Sequence, residues 1–178
     1  MGLKKEIAKY KTESVCVQIF RKSKMPNIHG YILDYSDDYV MIQEVDDFNA
    51  SGYIIMPKKS IKSIRFNQHD EVYDEIIKAE KQFEKIILKY DIDLTNWETI
   101  FKSIKLTGLN LSIECKKVNF FVIGILGNVK NDTVYIRDFD TAGVLDDIET
   151  PIFYKKISRV NFDDNYINVF SKYLKTAD

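Results

Sequence analysis

The chain has 178 residues, 45% of them hydrophobic and 13% aromatic, which is the composition of a folded globular protein and excludes a disordered one. Up to Asp93 there are 15 basic and 16 acidic residues, and from Leu94 onward 11 of each, so neither half carries the surplus positive charge on which non-specific binding to a phosphate backbone rests. Two cysteines exclude a disulfide framework, residues 1–7 lack the apolar core of a secretory signal, and no apolar run nears the roughly 18 residues of a membrane span. These features describe a soluble cytoplasmic protein that makes no membrane contact.

Leu3, Ile7 and Tyr10 fall at helical spacing and predict a short opening helix. Residues 14–20, rich in β-branched and aromatic side chains, read as a strand, which Pro26 and Asn27 then break. Residues 30–35 and 39–45 make a strand pair joined by Ser36, Asp37 and Asp38, whose side chains can hydrogen-bond their own backbone. A polar loop is expected over 46–52, a fourth strand over 53–56, a tight turn at 57–60 and an alternating fifth strand over 61–66. Five strands joined mostly by short connections favour an antiparallel meander that curls into a small barrel. Val72, Ile76, Ala79, Phe83, Ile86 and Tyr90 then form one stripe, which predicts a single long helix, N-capped by Asp70, packed on the same chain by that stripe.

After a link at 91–94, Thr95 and Glu98 fit a capping box for a second helix whose apolar face is Trp97, Ile100, Phe101 and Ile104 and which ends at Gly108. Strands are expected over 112–116, 120–126, 133–138, 152–154 and 157–162, and a last helix, capped by Asp163 or Asp164, carries Tyr166, Ile167, Phe170, Tyr173 and Leu174. Gly30, Val40, Ile42 and Asp46 are answered by Gly124, Val134, Ile136 and Asp140, each displaced by 94 positions, and residues 61–66 by 157–162, displaced by 96. Matching Cys16 to Cys115 needs a displacement of 99, which makes the first hairpin five residues longer in the first half. The pattern reads as an internal duplication with domains 1–93 and 94–178, each a helix, five strands and a helix.

Gly30-x-Ile32-x-x-Tyr35 with Val40-x-Ile42, and Gly124-x-Leu126-x-x-Val129 with Val134-x-Ile136, resemble the second and third strands of Sm-like proteins. The runs Pro-Lys-Lys-Ser-Ile at 57–61 and Phe-Tyr-Lys-Lys-Ile at 153–157 look like the Tyr-Lys-His-Ala-Ile turn of Hfq-type members, and another SH3-like small barrel is the alternative match. The resemblance implies a mainly β protein with flanking α-helices, built of two tandem Sm-like five-stranded antiparallel barrels. It also implies RNA binding at the loops between strands two and three and between strands four and five, and assembly of barrels into rings. The positions at which the family contacts bases fall on Ser36 and Val40, and on Lys130 and Val134, so the residues that read RNA are replaced. A fold kept without those residues serves another purpose.

His29 and His69 have no cysteine or carboxylate at metal-ligand spacing, no nucleophile or phosphate-loop motif occurs, and the acidic pairs at 37–38, 46–47 and 146–147 lie in loops that keep them solvated. Cys16 and Cys115 read as buried packing residues. No enzymatic activity, metal or small-molecule cofactor is therefore expected. Arg21, Lys22, Lys24, Lys58, Lys59, Lys155 and Lys156 lie in predicted turns, and Tyr39 and Tyr154 could offer stacking faces to single-stranded bases, although charged turns are by themselves no more than wet. The expected function is a non-catalytic interaction module that binds a protein partner or self-associates. The alternatives are a degenerate Sm-type RNA-binding protein and, more remotely, an immunity or antitoxin-type inhibitor.

Overall fold

Residues 2–22, 26–116 and 120–176 are described in the computed structural model, in which the chain divides into two units, Met1–Lys89 and Tyr90–Asp178. In the first, helix α1 (Leu3–Glu13) buries Ile7 and Tyr10 and ends on Ser14, held in the left-handed region at φ 49°. Strands β1 (Val17–Arg21), β2 (Ile28–Tyr35), β3 (Tyr39–Asp46), β4 (Asn49–Pro57) and β5 (Ile61–Arg65) pair antiparallel in the order β4-β3-β2-β1-β5. The terminal strands β4 and β5 are joined by a 3-10 turn (Lys58–Ser60) and do not pair with each other, so the sheet stays open where a closed barrel was expected. All five strands and α1 feed one apolar cluster, which includes Val17, Ile19, Ile32, Val40, Ile42, Ile54, Met56 and Ile61. The expected loop at 46–52 is strand up to a two-residue turn, Asp47 and Phe48, both at positive φ (46° and 65°). A primed turn matches the twist of its strands. The conformation is costly for Phe48, whose ring packs 4.6 Å from that of Tyr73.

Helix α2 (Gln68–Ala79) is shorter than its hydrophobic periodicity predicts, and it turns a different face inward. Val72, Ile76 and Ala79 are exposed, whereas Asp70, Asp74 and Ile77 are buried. Two carboxylates set this orientation. Asp74 accepts the Cys16 N–H at 2.9 Å and the Tyr31 hydroxyl at 2.5 Å, and it pairs with Lys78 at 2.6 Å. Asp70 accepts two bonds from Arg65, at 2.8 and 2.9 Å, and closes a capping box with Asn67, which is the N-cap in place of Asp70. Past Lys81, at φ 57°, the chain leaves the helix, and the Phe83–Lys85 turn folds Phe83 and Ile86 over Tyr31, Leu33 and Val45 on the outer sheet face.

In the second unit α3 (Trp97–Thr107) is capped by a reciprocal Asn96–Thr99 box, one residue later than predicted, and stops at Gly108, φ 70°. Strands β6 (Leu111–Cys115), β7 (Phe121–Val129), β8 (Thr133–Asp138), β10 (Thr150–Phe153) and β11 (Ile157–Phe162) pair antiparallel in the order β10-β8-β7-β6-β11. Between β8 and β10 the chain makes β9 (Val144–Leu145), which pairs in parallel with β12 (Lys175–Thr176) after α4 (Asn165–Phe170). Asp164 caps α4 by accepting the Ile167 N–H at 2.8 Å.

The pairing registers of the two units run in step. Val17 faces Gly30 as Leu111 faces Gly124, Ile32 faces Ile42 as Leu126 faces Ile136, and Tyr35 faces Val40 as Val129 faces Val134. The 94-residue displacement of the glycines thus holds through the first strand as well. Because Arg21 faces Ile61 where Cys115 faces Ile157, the place of Cys115 is taken by Arg21 in the first unit, and the displacement of 99 built on the two cysteines is corrected. A Cβ at Gly30 would lie 2.4 Å from the Gln43 carbonyl oxygen, and one at Gly124 would lie 2.3 Å from that of Arg137.

Gly30→Ala and Gly124→Ala are each expected to lower stability by about 1–3 kcal/mol, since strand backbone must move, and urea denaturation would show it. At Asp70, burial raises the carboxyl pKa, but Arg65, the Asn67 N–H and His29 outweigh it and hold the group below its ordinary range. The stabilisation is therefore present above the unfolded value of about 3.9 and is lost as pH falls through the lower folded value. Asp70→Asn should cost about 1 kcal/mol at pH 7 and leave the stability of the unit less sensitive to acid, as read by denaturation at pH 7 and pH 3.

Candidate functional site

The basic residues singled out in the turns have different environments. Arg21 is buried at the end of β1, whereas Lys22 and Lys59 are exposed at one end of the first sheet, where the Lys22 N–H meets the Ser60 carbonyl at 2.9 Å. Lys24 lies outside the described residues. Lys58 is buried, donates to the Ser36 carbonyl oxygen and stands 4.7 Å over the Tyr35 ring; burial, then the charge of Lys4, lowers its pKa. It is spent on closing the turn and offers no charge to a ligand. Tyr39 is half-buried, its N–H held by Ser36 Oγ at 3.1 Å. Tyr154 stacks on Phe101 at 5.7 Å and donates its hydroxyl to the Lys130 carbonyl at 2.5 Å, and burial pushes its pKa up to about 12. Val40 and Val134, where the Sm-like family contacts bases, are core residues with 0% exposure.

Lys155 and Lys156 do come together, with a residue that the sequence reading passed over. The Lys116 N–H donates to the Lys156 carbonyl at 2.8 Å, and Lys116 Nζ donates to the Lys155 carbonyl at 2.5 Å, which ties the 3-10 turn Tyr154–Lys156 to the end of β6. The three lysines rim a cleft of about 360 Å³ whose other lining residues are Cys115, Phe120, Pro151 and Ile152. The signal that would have found it was the 94-residue displacement: carried back to β6, it sets the small Cys115 in the place of the long Arg21.

A second surface lies on the outward face of β7. Phe121 is 55% exposed and Ile125 36%, with Ile123 half-buried between them. In the register of the first unit Ile125 corresponds to Tyr31, which is 1% exposed beneath Phe83. Arg137 is the cross-strand neighbour of Ile125; further along the unit Lys130 stands 4.7 Å over the Tyr135 ring and Lys105 is bonded to the Gly127 carbonyl at 2.6 Å. Glu149 lies against Gly127, Arg137 Nε donates to the Asp146 carbonyl at 2.7 Å, and Glu114, opposite Phe121, is buried and pairs with Arg159 at 3.5 Å.

The acidic and thiol groups of the first unit form no comparable site. Asp74, Tyr31 and the Cys16 N–H are sealed under α2, and burial followed by the charge of Asp74 pushes the Cys16 thiol up. Among the described residues no group of three or more histidine, cysteine or acidic side chains could hold a metal ion, and no helix is long and apolar enough to cross a membrane.

Comparison with protein-family models, curated proteins and solved structures returned no match to this chain.

Both thiols are free, and burial raises both. At pH 8 each is expected to react with a disulfide reagent at least about tenfold more slowly than an exposed thiol of pKa near 8.5. Cys115, which opens on the cleft, should react first, and Cys115→Ser should remove that first phase.

Proposed function

We propose that this chain is a non-catalytic interaction module, built from two tandem Sm-like units and working by self-association. The observation that carries the reading is the outward face of β7, with Phe121 and Ile125 in solvent and Ile123 half-buried between them, on a sheet whose counterpart in the first unit lies under a helix and a turn. Two units of one descent are supported by bonds that recur in both. Lys58 N–H donates to the Asp38 carbonyl as Tyr154 N–H does to that of Asp132, and Ser36 N–H to the Tyr39 carbonyl as Lys130 N–H does to that of Thr133. The side chains of Lys58 and Tyr154 donate to the carbonyls of Ser36 and Lys130 in turn. A strand-four to strand-five link made by a 3-10 turn in each unit supports the Sm-like assignment.

The face of β7 is suited to a helix, because Tyr73 and Ile77 of α2 already cover the equivalent surface in the first unit. The outer side of the same α2 supplies the partner: Val72 (51% exposed) and Ile76 (37%) lie among the exposed Glu71, Glu75 and Glu80, opposite in charge to Lys105, Lys130 and Arg137. A second copy of the chain thus presents an acidic apolar helix to a basic apolar sheet face. Sheet edges are the weaker choice, since Pro151 lacks an N–H in β10. The contact is heterologous and so builds open chains or rings of copies.

Sedimentation of the whole protein should show association that grows with concentration and weakens as salt screens the charged rim. Phe121→Ser with Ile125→Ser, and separately Val72→Ser with Ile76→Ser, should each return the protein to monomer without unfolding it. A protein that stays monomeric at about 100 μM, where any contact with a Kd in the μM range would be occupied, overturns the reading.

A further inference from the structure

The cleft between β6, β10 and the Tyr154–Lys156 turn is a separate feature, and it combines an apolar interior with an uncompensated positive rim. We propose that it is a binding site for a small organic anion, a carboxylate or phosphate group carried on an apolar acyl or aryl body.

Its origin is a difference of one side chain. β1 ends on Arg21, which faces Ile61 and is 5% exposed, and β6 ends on Cys115, which faces Ile157. The first unit has a long buried side chain at this point, and the second has a single thiol beside a cleft of about 360 Å³, within the size range of small-molecule sites. Phe120, Pro151 and Ile152 supply carbon on the walls, and Cys115, 6% exposed, forms part of the floor. Burial raises the thiol against the pull of Lys156, so the sulfur is neutral at pH 7 and repels neither an acyl chain nor a ring.

The rim adds charge. Lys116, Lys155 and Lys156 line the opening, and none of them has a carboxylate partner among the described residues. The Nζ atoms of Lys155 and Lys156 hold 5.7 and 5.2 Å from the centre of the Phe153 ring. The two bonds from Lys116 to backbone carbonyls of the turn hold the Lys116 stem and tie the turn to the end of β6, so part of the ordering is complete before a ligand arrives. Three lysines lining an apolar cleft favour a ligand with its charge outermost and its carbon inward. A neutral apolar molecule forgoes the rim, and a small inorganic anion forgoes the cleft.

Calorimetric titration of the full chain with octanoate, octan-1-ol and acetate separates these contributions. Octanoate should bind at least about tenfold more tightly than either of the others, equivalent to about 1.4 kcal/mol. Cys115→Arg, which installs the residue of the first unit, should abolish octanoate binding. Lys155→Gln with Lys156→Gln, both on the surface, should weaken octanoate about tenfold and leave octan-1-ol unchanged. Octanoate binding no tighter than acetate or octan-1-ol, or binding that survives both variants, overturns the assignment. Because sedimentation reads a different surface, neither result depends on whether copies of the chain associate.

Discussion

Each unit depends on one close approach between neighbouring strands. At Gly30 and at Gly124 the carbonyl oxygen of the next strand occupies the space that any side chain would need. The strand can then cross its neighbour closely enough to bend, and the pairing on either side is held to one register. With register held, Val17, Ile19, Ile32, Ile42 and Ile54 all point to one side and meet as a core. A slip of one residue would turn every one of them to solvent. The bend also brings the end of the first strand beside the 3-10 turn, where Lys22 or Lys116 bonds a carbonyl of that turn.

Given that frame, the two units differ in what lies on it. In the first, polar pins hold α2 to the sheet, and Asp74 serves a backbone N–H and a tyrosine hydroxyl that burial would otherwise leave unsatisfied. With Asp70 and Asp74 turned inward, Val72 and Ile76 of the same helix face solvent. In the second unit the link from helix to first strand is lighter, an Asn110 amide donating to Ser171 Oγ at 2.7 Å, and α4 has six residues to the twelve of α2. The outer face of β7 is accordingly less covered. Two half-apolar surfaces of opposite charge thus arise from one cause, the way a helix is tied to the sheet beneath it. The cleft beside Cys115 lies where the first unit has the buried Arg21.

Much of this architecture is written locally. The five-strand runs, the Pro57 and Phe153 turns, the Gly108 stop and the apolar face of α3 all follow from nearest-neighbour chemistry and periodicity, which short-range interactions enforce wherever the chain lies. The matching places of Gly30 and Gly124 were legible because a close backbone contact admits no other residue at either. Matching the two cysteines failed for the converse reason: nothing in the packing demands a thiol at either place, so their shared identity carried no positional information.

The sequence by itself determined most of the strand runs, the apolar face of α3 and the matching places of Gly30 and Gly124 within their strands. Only the tertiary structure decided which side of α2 is buried, that Lys58 is an internal hydrogen-bond donor and not a free charge, and that Lys116 joins Lys155 and Lys156 around a cleft. Periodicity records where apolar residues recur along a helix, but a buried carboxylate with three partners costs more to expose to mismatch than two aliphatic side chains cost to leave in water. Two of those partners, the Cys16 N–H just before β1 and the Tyr31 hydroxyl on β2, lie more than 40 positions away. No local pattern contains them.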